Sequence, residues 1–65
     1  MLGYTISRYV RDAHGTVIRM TREGFYRSES EGREALRVLQ GKPGLDLFVL
    51  FEPRGQSIGR TAALA

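Results

Sequence analysis

Apolar and polar positions follow three successive patterns, which divide the chain into a hairpin, a helix and a second hairpin. In the first stretch they alternate with period two on either side of Asp12-Ala13-His14-Gly15. Those four residues signal a turn, with Asp at the first position and Gly at the fourth. A type I turn closed by a glycine bulge sets Asp12 opposite Thr16, Val10 opposite Ile18, Arg8 opposite Met20 and Ile6 opposite Arg22. One face then gathers Tyr4, Ile6, Val10, Ile18 and Met20, with Arg8 and Arg22 as charged intruders at its rim. The other gathers Thr5, Ser7, Tyr9, Arg11, Val17, Arg19 and Thr21. Side chains alternate along a strand, so a slip of one residue would mix the two sets. Gly24 is expected to bend or end the second strand, with Phe25 and Tyr26 plugging one end of the core.

The middle stretch has helical spacing. Ser28 followed three residues later by Glu31 is a capping-box pattern, and Glu29 and Glu31 suit the positive end of the helix dipole. Gly32, Ala35, Leu36 and Leu39 recur on one face with Val38 beside it, and Glu29 and Arg33 form an i,i+4 pair. Gly32 costs about 1 kcal/mol of helix propensity, and close helix–sheet packing is the expected return. Gly41 marks the stop, and Gly41-Lys42-Pro43-Gly44 reads as a loop.

In the third stretch, Leu45–Phe51 is apolar on both faces: Leu45, Leu47, Val49 and Phe51 on one, Phe48 and Leu50 on the other. Ile58 joins the second set if Pro53-Arg54-Gly55 form the loop. The predicted fold is therefore α+β, a ββαββ arrangement with one helix packed on a small antiparallel sheet in a single domain spanning 1–65. The helix face is expected to meet Ile6, Val10, Ile18, Met20 and one side of Leu45–Phe51. One helix covers one face of a small sheet, so the other face of that strand is left open as an interface. The alternative is that the tail from Thr61 to Ala65 folds back over it.

Length and composition narrow the function classes. Sixty-five residues support one small core burying roughly 60% of the unfolded surface, so a partner or self-association would help. Absence of cysteine excludes disulfides, thiolate metal sites and a cysteine nucleophile. The longest apolar run, Leu47–Phe51, is far below the ~20 residues that cross a bilayer. No basic-then-apolar segment follows Met1, so a cytoplasmic protein without a signal peptide or membrane contact is expected. Ten basic residues, nine of them Arg, face seven acidic ones. That balance suits an acidic partner, or reflects the arginine preference of a GC-rich genome.

Catalytic chemistry finds little purchase. His14 is the one histidine and sits in a turn with only Asp12 near it, whereas acid–base work needs a second positioned group and a pocket. Ser28 and Ser30 read as caps, and the acids lack metal-ligand spacing. Gly41-Lys42-Pro43-Gly44 has proline where a phosphate loop needs a hydroxyl residue. The reading is a protein that is not an enzyme, with no cofactor, metal or small-molecule substrate.

Binding is better supplied. Tyr9, Arg11 and Arg19 share the predicted polar face, with Tyr9 opposite Arg19, and Arg54 and Arg60 extend the basic rim. A tyrosine flanked by guanidiniums can stack a base and hold a phosphate, although such a cross-strand pair is also an ordinary solvated stabiliser. The same residue types, with Phe48 from the doubly apolar strand, are those enriched at protein interfaces. The contact set is thus Tyr9, Arg11, Arg19, Phe48, Arg54 and Arg60. A protein partner is expected ahead of nucleic acid, and a free edge strand favours a homodimer.

The hairpin Tyr4–Met20, the helix Ser28–Gln40 and the hairpin Leu45–Arg60 together resemble, in size and layout, compact bacteriophage and mobile-element proteins of the anti-CRISPR type. The resemblance implies a non-catalytic inhibitor, working in the bacterial host cytoplasm, that binds a bacterial protein or complex, often at its nucleic-acid-binding surface.

Overall fold

A computed structural model describes residues 3–41, 44 and 46–61. The elements run β1 (Tyr4–Arg11), β2 (Val17–Tyr26), α1 (Glu29–Gln40), β3 (Leu47–Phe51) and β4 (Ser57–Arg60). The fold is α+β with the ββαββ order that the pattern predicts. All pairings are antiparallel and the sheet order is β2-β1-β3-β4. Among the described residues, β1 and β3 are thus interior strands, and β2 and β4 are edges.

Both hairpins close with the same loop. The Gly15 N–H donates to the Asp12 carbonyl at 3.0 Å, and the Asp12 N–H to the Thr16 carbonyl at 3.0 Å. Gly55 and Glu52, then Glu52 and Gln56, repeat this at 2.9 Å each. Gly15 at φ 82° and Gly55 at φ 96° occupy the left-handed region that glycine enters without a Cβ penalty. Asp12 Oδ1 also accepts from the His14 and Thr16 N–H groups, and Glu52 Oε1 from that of Gln56.

The predicted β1–β2 register holds at this loop and fails beyond it. A shift at Ile18 sets Val10 opposite Arg19 and Tyr9 opposite Met20; a second at Glu23 sets Ile6 opposite Gly24. The consequence is physical. The unshifted register would bring the Arg22 guanidinium beside Ile6, which is fully buried, and an unpaired buried charge is costly. The bulges place Gly24 there and send Arg22 to the outer face. Gly24 does not end the strand; a Cβ at that position would lie 2.5 Å from the Tyr26 hydroxyl oxygen, so the glycine makes room for the tyrosine to lie back along β2.

The core consists of Ile6, Phe48 and Leu50, with Tyr4, Tyr26, Ala35, Leu36, Leu39 and Ile58 packed against it. Phe48, Leu50 and Ile58 are the side of the second hairpin that meets the helix. Ile18 and Met20, expected in this core, are instead 63% and 57% exposed. Twelve helical residues reach about 18 Å, whereas the ten residues of β2 reach about 33 Å. The helix therefore cannot cover the distal half of the first hairpin. Phe25 likewise lies on the uncovered side, and Tyr26 closes that end of the core together with its cross-strand partner Tyr4.

The helix is fastened as its sequence indicates. The Glu31 N–H donates to the Ser28 Oγ cap at 3.2 Å, and Arg33 Nε to Glu29 Oε2 at 2.7 Å. Gly32 is its one fully buried residue. A Cβ there would stand 2.8 Å from Leu50 Cδ1, so its absence is what lets the helix settle onto β3. The Thr61 N–H donates to the Phe48 carbonyl at 2.9 Å, and Thr61 Oγ1 accepts from the Phe48 N–H at 3.1 Å. Leu45 and the tail after Thr61 lie outside the described residues.

Candidate binding face

The register decides which side chains share the uncovered face. On β1 these are Thr5, Ser7, Tyr9 and Arg11; their β2 partners are Phe25, Arg22, Met20 and Val17. β3 adds Leu47, Val49 and Phe51, and β4 adds Arg60 and Ser57 opposite Val49 and Phe51. No Asp or Glu stands at a paired position on this face among the described residues. The acids lie on the helix, in the two loops, at the Glu23 bulge and at Asp46. The three arginines of the face equal in number the chain's excess of base over acid.

Aromatic rings recur here too. Thr5 is paired with Phe25 on one side and Phe51 on the other, so the backbones that carry the two rings stand about 10 Å apart across β1. Between them a cavity of about 360 Å³ has Thr5 and Ser7 on its floor and Arg22 and Glu52 on its walls. The Phe25 ring lies over the bare backbone of Gly3. Ser7 and Val49, at the centre of the face, are only 8% exposed, so the long side chains around them form a continuous surface.

The expected contact residues are thus partly regrouped. Tyr9 and Arg11 are on the open face as predicted, and Arg60 joins them at its β4 edge, where it also lines a shallow cavity with Arg33, Leu36, Arg37 and Gln40. Arg54 is exposed at the tip of the second loop. Two assignments need correction. Arg19 pairs with Val10, on the helix side of the sheet, so Tyr9 faces Met20 instead. Phe48 belongs to the buried core, because its strand turns Phe48 and Leu50 to the helix and Leu47, Val49 and Phe51 away from it. Arg22, Phe25 and Phe51 take their places. Gly24 is the one sequence signal near the bulge that moves Arg22 and Phe25 outward, and nothing in the spacing locates the shift.

On the helix side, Arg8 explains how a cation sits beside the core. Its Nε donates to Asp46 Oδ2 at 2.7 Å, and its guanidinium carbon lies 6.0 Å from the centroid of the Phe48 ring. The Arg8 hydrogen bond holds the Asp46 carboxyl below its ordinary value of 3.8. Partial burial opposes this, and the charge of Arg8 with the backbone N–H and charge of Arg11 reinforces it. The pair clamps the entry of β3 against β1.

No protein-family model, curated protein or solved structure matches the chain. Among the described residues, no group of His, Cys, Asp or Glu is arranged to hold a metal ion, and no helix is long and apolar enough to cross a membrane.

Proposed function

We propose that this protein is a non-enzymatic binding module, a small regulator or inhibitor of the kind its size and layout resemble, which engages an acidic protein surface through its open sheet face. The observation that carries the reading is the segregation of charge. The face presents Arg22 and Arg60 at paired positions with Arg11 at the loop end of β1, and among the described residues no Asp or Glu stands at a paired position there. The remaining residues of the face include Tyr9, Phe25, Phe51 and Met20. Aromatic residues, Met and Arg are the types enriched at protein interfaces, where Lys, Asp and Glu are depleted. The revised contact set is Tyr9, Arg11, Arg22, Phe25, Phe51 and Arg60, with Arg54 at the loop beside it.

A second reading, single-stranded nucleic acid, is favoured by one feature. Tyr9, Phe25 and Phe51 lie on three adjacent strands among arginines, and aromatic stacking with backbone neutralisation is how such strands are held. One experiment separates the two. Tagged wild-type protein and the Arg22→Glu/Arg60→Glu variant are each used to capture material from nuclease-treated and untreated lysate. A protein retained in stoichiometric amount after nuclease, and lost from the variant, is the expected result. Binding that vanishes with nuclease transfers the face to nucleic acid, where affinity should also fall steeply with salt. Equal capture by wild type and variant removes the face from consideration.

A further inference from the structure

Among the described residues, no strand pairs with the outer edge of β2. It is the longest strand of the sheet and carries Val17, Ile18 and Met20 at 51%, 63% and 57% exposure. Such an edge offers a row of free backbone N–H and C=O groups to another strand. Its charges, Arg19, Arg22 and Glu23, restrict which strand can accept the offer, because like charges placed opposite each other are destabilising.

A second copy of β2 meets that restriction in one arrangement. Antiparallel pairing of identical strands places a two-fold axis either on a residue or between two. An axis between residues within 19–23 would set a side chain of the open face against one of the helix face, which the pleat forbids. An axis on Arg19, Arg22 or Glu23 would oppose that charge to itself. An axis on Met20 would set Arg19 against Thr21 and leave its charge unmatched. An axis on Thr21 sets Arg19 opposite Glu23 of the second copy twice, and Met20 opposite its Arg22 twice. Like faces then stay together. Arg19 and Thr21 lie on the helix side through their pairing with Val10 and Arg8, and Glu23 Oε2 accepts from Thr21 Oγ1 at 3.4 Å on that same side. Met20 and Arg22 lie on the open side. Beyond this seam, Val17 falls opposite Phe25 of the second copy, both from the open face.

From this self-complementarity we infer that the protein forms a two-fold homodimer through residues 19–23 of β2, giving one continuous eight-stranded sheet. The axis runs perpendicular to the sheet, so both open faces point the same way, with Met20 and Arg22 of each copy at the centre of the joint surface. The dimer does not depend on the identity of the partner of that face, and its test is independent of partner binding.

The test is mass in solution with charge reversal. Wild-type protein should show the mass of a dimer, twice 7.3 kDa, at millimolar concentration. Arg19→Glu, and separately Glu23→Arg, should halve it with an unchanged circular dichroism spectrum. The Arg19→Glu/Glu23→Arg double variant should restore the dimer, since the pairs re-form with signs exchanged. Because the chain has no cysteine, Thr21→Cys gives a clean second readout. It should cross-link to the dimer on mild oxidation, whereas Val38→Cys on the exposed helix flank should not. A wild-type protein that stays monomeric, or a dimer indifferent to both reversals and not cross-linked through position 21, overturns the proposal.

Discussion

The two hairpins have the same loop and different surroundings. Each is closed by an acid, two turn residues and a left-handed glycine, with matching backbone hydrogen bonds. Around the second loop the strands are short and hold three of the four apolar side chains that are buried among the described residues, Phe48, Val49 and Leu50. Beyond the first loop a long edge strand runs past the reach of the helix with Val17, Ile18 and Met20 exposed. Turn chemistry is therefore a local property that recurs wherever its residues do. Burial depends on what lies overhead, and here a twelve-residue helix decides which hairpin anchors the fold and which presents surface.

The largest effect should come from breaking that asymmetry at its buried end. Leu50→Ala empties a fully enclosed site beneath Gly32 and is expected to cost about 2–5 kcal/mol in urea denaturation. The chemically similar Met20→Ala, on the exposed hairpin, should stay within about 0.5 kcal/mol. Comparable losses at both sites would mean that β2 is buried in solution, as the edge-paired dimer would partly bring about; repeating Met20→Ala in the Arg19→Glu background separates the two causes.

The loops should respond alike. Gly15→Ala and Gly55→Ala each force a Cβ into a positive φ with no atom nearby to clash, so backbone strain is the whole effect. Each should cost about 1–2 kcal/mol by the same denaturation measurement. A large difference between them would show that the two loops are equivalent in form only.

A smaller effect should appear with pH. The Asp46 carboxyl titrates lower in the fold than when unfolded, so its pairing with Arg8 stabilises the protein fully above its ordinary value of 3.8 and is lost as pH falls through the lower folded value. Urea midpoints measured from neutral pH down through this range should fall less steeply for Asp46→Asn than for wild type. Arg8→Met should flatten the same limb. Unaltered slopes in both variants would place the acid sensitivity elsewhere.

Features with a short-range cause were legible from the residues. The Ser28 cap, the Glu29–Arg33 pair, both loops, the element order and the packing role of Gly32 each depend on neighbours within a turn, or on a periodic pattern that one element carries by itself. The open face was legible as an idea and misassigned in its members. Its arginines and aromatics were exchanged, Arg19 for Arg22 and Phe48 for Phe25 and Phe51. The two faces of β3 are equally apolar, and alternation within that strand cannot say which one the helix will choose.

The elements, their order, their turns and the surplus of positive charge follow from local stereochemistry and composition. Tertiary structure alone decided the strand order, the bulges at Ile18 and Glu23, and the side of β3 that is buried. A bulge is adopted when the whole sheet gains by it. Here it keeps the Arg22 guanidinium out of the core, sets Gly24 beside Ile6 and turns Arg22 and Phe25 to the open face, which is a balance of burial and charge across neighbouring strands that no single segment encodes.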